Sequence, residues 1–380
     1  MTKHQANSIS RLRIALFFTQ GMSLTAWDEI GMLDREVALY RRLIGHIRAI
    51  TFVTYGGRSE RRYESALKGV DIWHNRFNLS PKWHKRLAST ISLWQWRNEP
   101  LIVKSNQIDG AEVALNAALV FHKKFIARCG YLLSDFMARQ HGQGSPQFFN
   151  AQNLERRVFT RCDKAVVTTQ AMRHTVIESY GLSDDKITVI PNYVDTSLFS
   201  PTKDKPAISA NRICFIGRLD QQKNPFALLE AIEGLNVALT MIGQGPLKER
   251  LETIARERKL KVQFLGAVAH NQLARYINES ALFILPSLYE GHPKTLLEAM
   301  SCGSPVIGAN VAGIREMIEH EKTGFLCETN PASIREAIQT VMSNQALALR
   351  VGQGARQFIL ERFSLDKIVQ QELDVYRELL

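Results

Sequence analysis

Cysteine is scarce and scattered: Cys129, Cys162, Cys214, Cys302 and Cys327 are the five in 380 residues, and no two stand close together. That spacing excludes a zinc-ligand motif or a disulfide framework and suits a reducing compartment. No apolar run approaches the ~18 residues of a membrane-spanning helix. Residues 1–10 are polar and lack the apolar core of a signal peptide. The expectation is therefore a cytoplasmic protein, soluble or peripheral on the inner face of a membrane. The sequence has no internal repeat, no low-complexity tract and no Asp-x-Asp pair of the kind that holds a divalent metal. It also lacks a recognition-helix or stacking-aromatic motif, which argues against a nucleic-acid partner. No side chain stands out as an enzymatic nucleophile.

What is present begins with size and charge. A chain of 380 residues with 45% hydrophobic content is long enough for two domains with full cores. Residues 1–200 hold 27 Lys and Arg against 17 Asp and Glu, an excess of ten, whereas residues 201–380 hold 21 against 20, an excess of one. A basic first half beside a neutral second half points the first half toward something anionic, either phospholipid or a phosphorylated acceptor. A second basic candidate reinforces this: Trp83, Leu87, Ile91 and Trp94 share a face at helical spacing, flanked by Lys82, Lys85 and Arg86. Such a stripe can lie in a membrane interface, but it more often packs into a core, and packing is the expectation here.

Short apolar runs recur at residues 12–18, 165–168, 213–217, 238–243, 281–286 and 305–308, each followed by a glycine or polar loop and then a helical pattern. This alternation predicts parallel sheets covered by helices on both faces. Residues 200–211 are polar, hold two prolines and lack periodicity, so they form the expected linker between two Rossmann-like halves.

In such sheets ligands bind at the carboxyl ends of strands, and three junctions of the second half carry suggestive chemistry. After the strand ending at Gly217 come Arg218, Lys223, Asn224 and Pro225, with Asn224 and Pro225 reading as helix cap and first helical residue. Arg218 offers a planar fork to phosphate oxygens and Lys223 a mobile point charge. Alone, the two would equally suit a solvated surface. The second junction, Gly243 and Gly245 ahead of a helix, allows close approach of a ligand to backbone, although the third glycine of a dinucleotide loop is missing. At the third, Glu290 lies on a loop and Glu298 about a turn inside a helix opened by Pro293. The N–H groups of that helix start, near Lys294, Thr295, Leu296 and Leu297, can face a phosphate. The two carboxylates would repel one and are suited to neutral hydroxyls. A nucleotide sugar has both features.

At these residues the chain resembles the retaining nucleotide-sugar glycosyltransferases with the GT-B fold, specifically glycosyltransferase family 4. The ordered set that carries the resemblance comprises Pro191-Asn192 with Asp195 and Phe199, Gly217-Arg218 with Lys223, Gly243 and Gly245, and Glu290-Gly291 through Glu298 with Gly303 and Pro305. The resemblance implies two Rossmann-like domains facing each other across a cleft, residues 1–200 on the acceptor side and 201–364 on the donor side. It also implies a C-terminal helix, residues 365–380, crossing back to the first domain. Arg218 and Lys223 would hold the donor diphosphate, Glu298 the ribose hydroxyls and Glu290 the donor sugar, with the Gly243 loop and Ala267-Val268 near the base. The loop containing Gly21 matches the family's flexible first loop. Trp27 and Asp28 in its neighbourhood read as core packing and helix capping. Where many relatives present a histidine to the donor sugar, this chain offers Arg128, or His141 nearby. Where relatives often have phenylalanine-glycine after the first Glu-Gly, it has His292-Pro293-Lys294.

The implied activity is transfer of a hexose-type sugar, with retention, to a hydroxyl of a glycan or lipid-linked acceptor in cell-surface polysaccharide or glycolipid synthesis. Neither a cofactor nor a metal is expected, and Arg218 and Lys223 take the metal's place. Two alternatives share the architecture: a nucleotide-sugar epimerase or hydrolase, which needs no acceptor, and a non-catalytic sugar-nucleotide sensor.

Overall fold

Runs of branched aliphatic residues become parallel strands in both halves, because a strand covered on both faces has no polar side to alternate with. In the computed structural model, which describes residues 9–202 and 209–380, thirteen strands form two sheets. The first holds β1 (Arg13–Phe17), β2 (Ala49–Val53), β3 (Val70–Trp73), β4 (Leu101–Ser105), β5 (Lys124–Cys129), β6 (Lys164–Val167) and β7 (Ile187–Val189). Their order is β3-β2-β1-β4-β5-β6-β7, with parallel pairings throughout, Ile14 opposite Ile50 on one side and Ile102 on the other.

The second sheet holds β8 (Ser209–Ile216), β9 (Ala238–Ile242), β10 (Val262–Gly266), β11 (Ser280–Leu285), β12 (Val306–Ala309) and β13 (Phe325–Cys327). Its order, β10-β9-β8-β11-β12-β13, is again all parallel. Both sheets are doubly wound. Strand order reverses between β1 and β4 in one and between β8 and β11 in the other, and loops at the carboxyl ends splay apart at such a reversal.

Two compact units follow from this, residues 1–191 with 368–380 and residues 192–367. The sequence expectation drew its lines at 200 and 364. Residues 203–208 of the expected linker lie outside the described residues. Each unit has its own buried core, with Val103, Phe125 and Phe159 at 1% exposure or less in the first and Phe215, Phe283 and Leu296 fully buried in the second.

Charges inside the first sheet are paired. On β1 the Arg13 guanidinium donates to Glu99 at 3.0 Å and to Thr51 Oγ1 at 3.1 Å, pairs with Asp71, and lies 4.5 Å from the Trp96 ring centre. On β4 Lys104 is fully buried. Its Nζ donates to both oxygens of Glu372, at 2.6 and 2.5 Å. Glu372 belongs to the C-terminal helix Leu365–Leu379, whose Ile368, Val369, Leu373 and Tyr376 are also buried. The chain thus leaves the second unit and returns to the first, as the GT-B resemblance implied.

The helix Pro81–Ile91 overturns the packing expected of its aromatic stripe. Trp83, Ile91 and Trp94 are 58, 45 and 60% exposed. The buried residues are His84, Ala88 and Ser89, and the helix packs against the helix Ala111–Val120. A close helix contact favours small side chains, so Ala88 and Ser89 won the inner face and the large rings were left outside.

Candidate active site in the second unit

Where strand order reverses, the loop after β8 meets the loop after β11. The first, residues 217–224, contains a single 3₁₀ turn, Gln221–Lys223, capped by Asp220, whose carboxylate accepts from Lys223 N at 3.2 Å. Asn224 adopts φ +54°, and its side chain does not cap the helix Pro225–Ile232 that follows. Its amide instead donates to the carbonyls of Pro286 at 3.1 Å and Thr329 at 2.8 Å. The expected cap is therefore a tie between three loops.

Further bonds clamp the two loops together. Gln222 Nε2 donates to Tyr289 O at 3.1 Å, and Leu288 N donates to Gln222 O at 2.8 Å. Between them lies the central pair, Lys223 Nζ on Glu290 Oε1, with the Ser287 hydroxyl donating to the same oxygen at 2.7 Å. The side chains of Lys223 and Glu290 are 14 and 7% exposed, so this carboxylate is not a solvated loop charge. Arg218 differs. It is largely exposed and bonded to Asp220 at 3.0 Å and to Gln222 Oε1 at 3.1 Å.

The third loop carries Gly243 and Gly245 close against the first. A Cβ on Gly243 (φ +141°) would stand 1.9 Å from Gly217 O, and one on Gly245 would stand 2.3 Å from Leu219 O. The close approach these glycines permit is loop to loop, sealed by Leu219 N to Gln244 O at 2.9 Å and Leu247 N to Leu219 O at 3.0 Å. Val268, beyond β10, is half-buried against the core.

The helix Lys294–Ser301 begins after Pro293, which occupies the cap position. Leu296 and Leu297 are fully buried, and the N–H of Leu297 bonds to Pro293 O at 3.4 Å. One of the amides expected to face a phosphate is thus engaged within the helix; Lys294 and Thr295 are half-buried beside it. Glu298 is 2% exposed, and its Oε1 lies 2.8 Å from His270 Nε2. A buried carboxylate needs such a partner. His270 starts the helix His270–Asn278 and gave no signal in the sequence, standing 28 residues away. Asn192, in the Pro-Asn motif, donates to His292 O at 2.7 Å and so braces the turn before that helix.

In the first unit Gly21 is exposed in the loop after β1, tied back by Gln20 N to Asp109 O at 3.3 Å. Trp27 packs on Phe18 with ring centres 4.2 Å apart, as expected. Asp28 does not cap. It accepts from Tyr63 Oη at 2.8 Å, and the start of its helix is served by Ser23 and by buried Glu60, which accepts from Leu24 N and Thr25 N at 3.0 Å each. Arg128 is half-buried on β5 and donates to Asn106 O at 3.3 Å. His141 ends the helix Leu133–His141 and is exposed. Among the described residues no cluster of three or more metal-ligating side chains occurs, and no helix is long and apolar enough to cross a membrane.

The order of motifs along the chain settles its lineage. Glycosyl transferases group 1 matches residues 201–358, and Glycosyltransferase Family 4 matches residues 37–198. The chain belongs to glycosyltransferase family 4. An uncharacterized glycosyltransferase of Methanocaldococcus jannaschii is 27% identical over 274 residues, 67% of each chain. The Escherichia coli UDP-Gal:alpha-D-GlcNAc-diphosphoundecaprenol alpha-1,3-galactosyltransferase is 30% identical over 213 residues, 51% of this chain and 55% of that one. The chain spans between about half and two thirds of the length of several curated relatives it matches. Among solved structures, Anabaena Alr3699/HepE in complex with UDP and glucose superimposes with a TM-score of 0.75 at 19% identity, covering 96% of this chain and all of the other. That likeness establishes the GT-B fold.

Proposed function

We propose that the chain transfers a hexose-type sugar from a nucleoside diphosphate sugar to a hydroxyl of a glycan or glycolipid acceptor, with retention at the anomeric carbon. One observation carries this most directly: Lys223, Glu290 and Ser287 converge at the reversal between β8 and β11, with exposed Arg218 on the same loop as Lys223. Two cations and two carboxylates at the carboxyl ends of neighbouring strands match a ligand that is a diphosphate at its centre and polyhydroxyl at both ends. One relative is named as a galactosyltransferase using UDP-Gal, and a structural neighbour is seen with UDP and glucose.

In the step itself the bond from the anomeric carbon to the diphosphate breaks, and a bond to the acceptor oxygen forms on the same face. The acceptor proton passes to the departing phosphate oxygen. Negative charge grows on that leaving group, where Arg218, Lys223 and the helix start near Thr295 stabilise it. Glu290 is poised to hold a donor-sugar hydroxyl once Lys223 shares its charge with the phosphate. Glu298, oriented by His270, is suited to the ribose hydroxyls. Arg128 and the loop bearing Gly21 are assigned to the acceptor side, and the basic first half to an anionic membrane surface.

The test is donor depletion across a panel of nucleotide sugars, with and without a lipid-linked acceptor. Release of nucleoside diphosphate should require the acceptor; release without it would mark a hydrolase or epimerase. At about 1.5–3 kcal/mol for each charge-assisted bond, Arg218→Ala with Lys223→Ala should slow transfer by roughly 10²- to 10⁴-fold. Undiminished transfer would refute the assignment.

A further inference from the structure

The first unit holds a cavity of about 720 Å³ that the donor chemistry does not use. It opens between the loop leaving β3 and the segment formed by Pro81–Ile91 and the 3₁₀ turn Trp94–Trp96. His74 and His84 line it at 8 and 2% exposure. Among the described residues neither ring nitrogen of His74 has a hydrogen-bond partner, nor does Nδ1 of His84, whose Nε2 lies 2.9 Å from Thr54 O. Buried polar atoms are ordinarily satisfied. Three buried ring nitrogens without a partner, on two side chains that line one cavity, fit a site whose polar partner arrives with a ligand. Burial lowers the pKa of His84, so its ring is a neutral group for hydroxyls.

The rim has the opposite character. Phe77, Ile91 and Trp94 line the mouth at 59, 45 and 60% exposure, and Trp83 continues the apolar strip along the outer face of the helix. Each of the three aromatics carries a guanidinium over its ring: Arg76 on Phe77 at 4.7 Å, Arg97 on Trp94 at 4.5 Å and Arg86 on Trp83 at 5.9 Å. Arg61 and Arg76 also line the cavity, opposed there by one carboxylate, Glu64. Exposed rings stacked with arginines suit the headgroup layer of an anionic bilayer, where ring bodies enter the acyl boundary and cations meet phosphates.

We propose that this cavity receives the head of a lipid-borne acceptor: a sugar or polyol carried on a phosphate ester. Its hydroxyls meet His74 and His84, its phosphate meets Arg61 and Arg76, and its tail leaves past Phe77, Ile91 and Trp94 into the membrane. Calling the occupant an acceptor rests on the transferase reading above; binding needs no donor.

The test uses the full chain without donor. Tryptophan fluorescence follows titration with glucose 1-phosphate, with glucose and inorganic phosphate as controls, and flotation follows binding to vesicles of phosphatidylcholine alone or mixed with phosphatidylinositol. Vesicles with phosphatidylinositol should bind at least about tenfold tighter than those without. Trp83→Ser, an exposed position outside the cavity lining, should weaken vesicle binding several-fold and leave the glucose 1-phosphate response intact. His74→Leu with Arg61→Ser should weaken both. Glucose 1-phosphate binding without vesicle preference overturns the lipid source, and response to neither overturns the site. UDP binding by every variant reports on the second unit separately. Vesicle binding that persists while no donor is consumed counts against the transferase reading and leaves this site standing.

Discussion

Replacing Glu372 by glutamine tests how the C-terminal helix is held to the first unit. Lys104 and Glu372 are 0 and 1% exposed, and Tyr376 Oη lies 3.4 Å from the same ammonium. Burial lowers the Lys104 pKa, and the Glu372 carboxylate offsets only part of that. Without that charge the buried ammonium must either stay ionised in an apolar site, at roughly 3–5 kcal/mol, or give up its proton. From an unfolded-state pKa near 10.4, deprotonation at pH 7 costs about 4.6 kcal/mol at ~1.36 kcal/mol per unit. The cost falls to about 2 kcal/mol at pH 9. The sign is fixed: the folded pKa lies below the unfolded one, so the unfolded chain binds more protons and stability of the variant climbs as pH rises toward 10.4. Denaturant unfolding of Glu372→Gln at pH 7 and pH 9 should show that trend, and amide exchange should show residues 368–379 losing protection first. Lys104→Met combined with Glu372→Leu should recover most of the loss, because two apolar side chains need no partner. A penalty under about 1 kcal/mol at pH 7, or one that does not shrink by pH 9, would refute the account.

All five thiols are buried, and burial raises the pKa of Cys162, Cys214 and Cys327 to about 12. A chromogenic disulfide should find almost no reactive thiol in the native protein and all five after denaturation; prompt labelling of any one would contradict the packing. Because these folded pKa values exceed the unfolded value near 8.5, stability is retained below pH ~8.5 and lost as pH rises toward 12, at up to about 1.4 kcal/mol per unit for each thiol. Asn224→Ala strips partners from two carbonyls and keeps the left-handed backbone. We expect a loss of about 2–4 kcal/mol in thermal or denaturant unfolding, with Asn224→Gly about 1 kcal/mol milder; equal losses would show that backbone conformation plays no part. Gly243→Ala drives a methyl into Gly217 O and should raise the donor dissociation constant at least about tenfold by moving the Arg218 loop. Unchanged donor titrations would sink the link between those loops.

Strands and their parallel pairing were legible because a doubly covered strand is apolar along its whole length, as residues 281–286 are. Motif order then located the loops that carry Arg218, Lys223 and Glu290, since in a parallel sheet every such loop emerges at the same edge. What decided the chemistry at that edge was contact between residues far apart in the chain. Lys223 finds Glu290 across 67 positions, Glu298 finds His270 across 28, and Lys104 finds Glu372 across 268. No local pattern encodes such pairs, because each depends on strand order and on how near the packing lets two loops come. The helix Pro81–Ile91 shows the same limit from the other side. Its period determined that Trp83, Leu87 and Ile91 share a face, yet only the neighbouring helix, with room for Ala88 and Ser89 and none for indole rings, determined which face meets water.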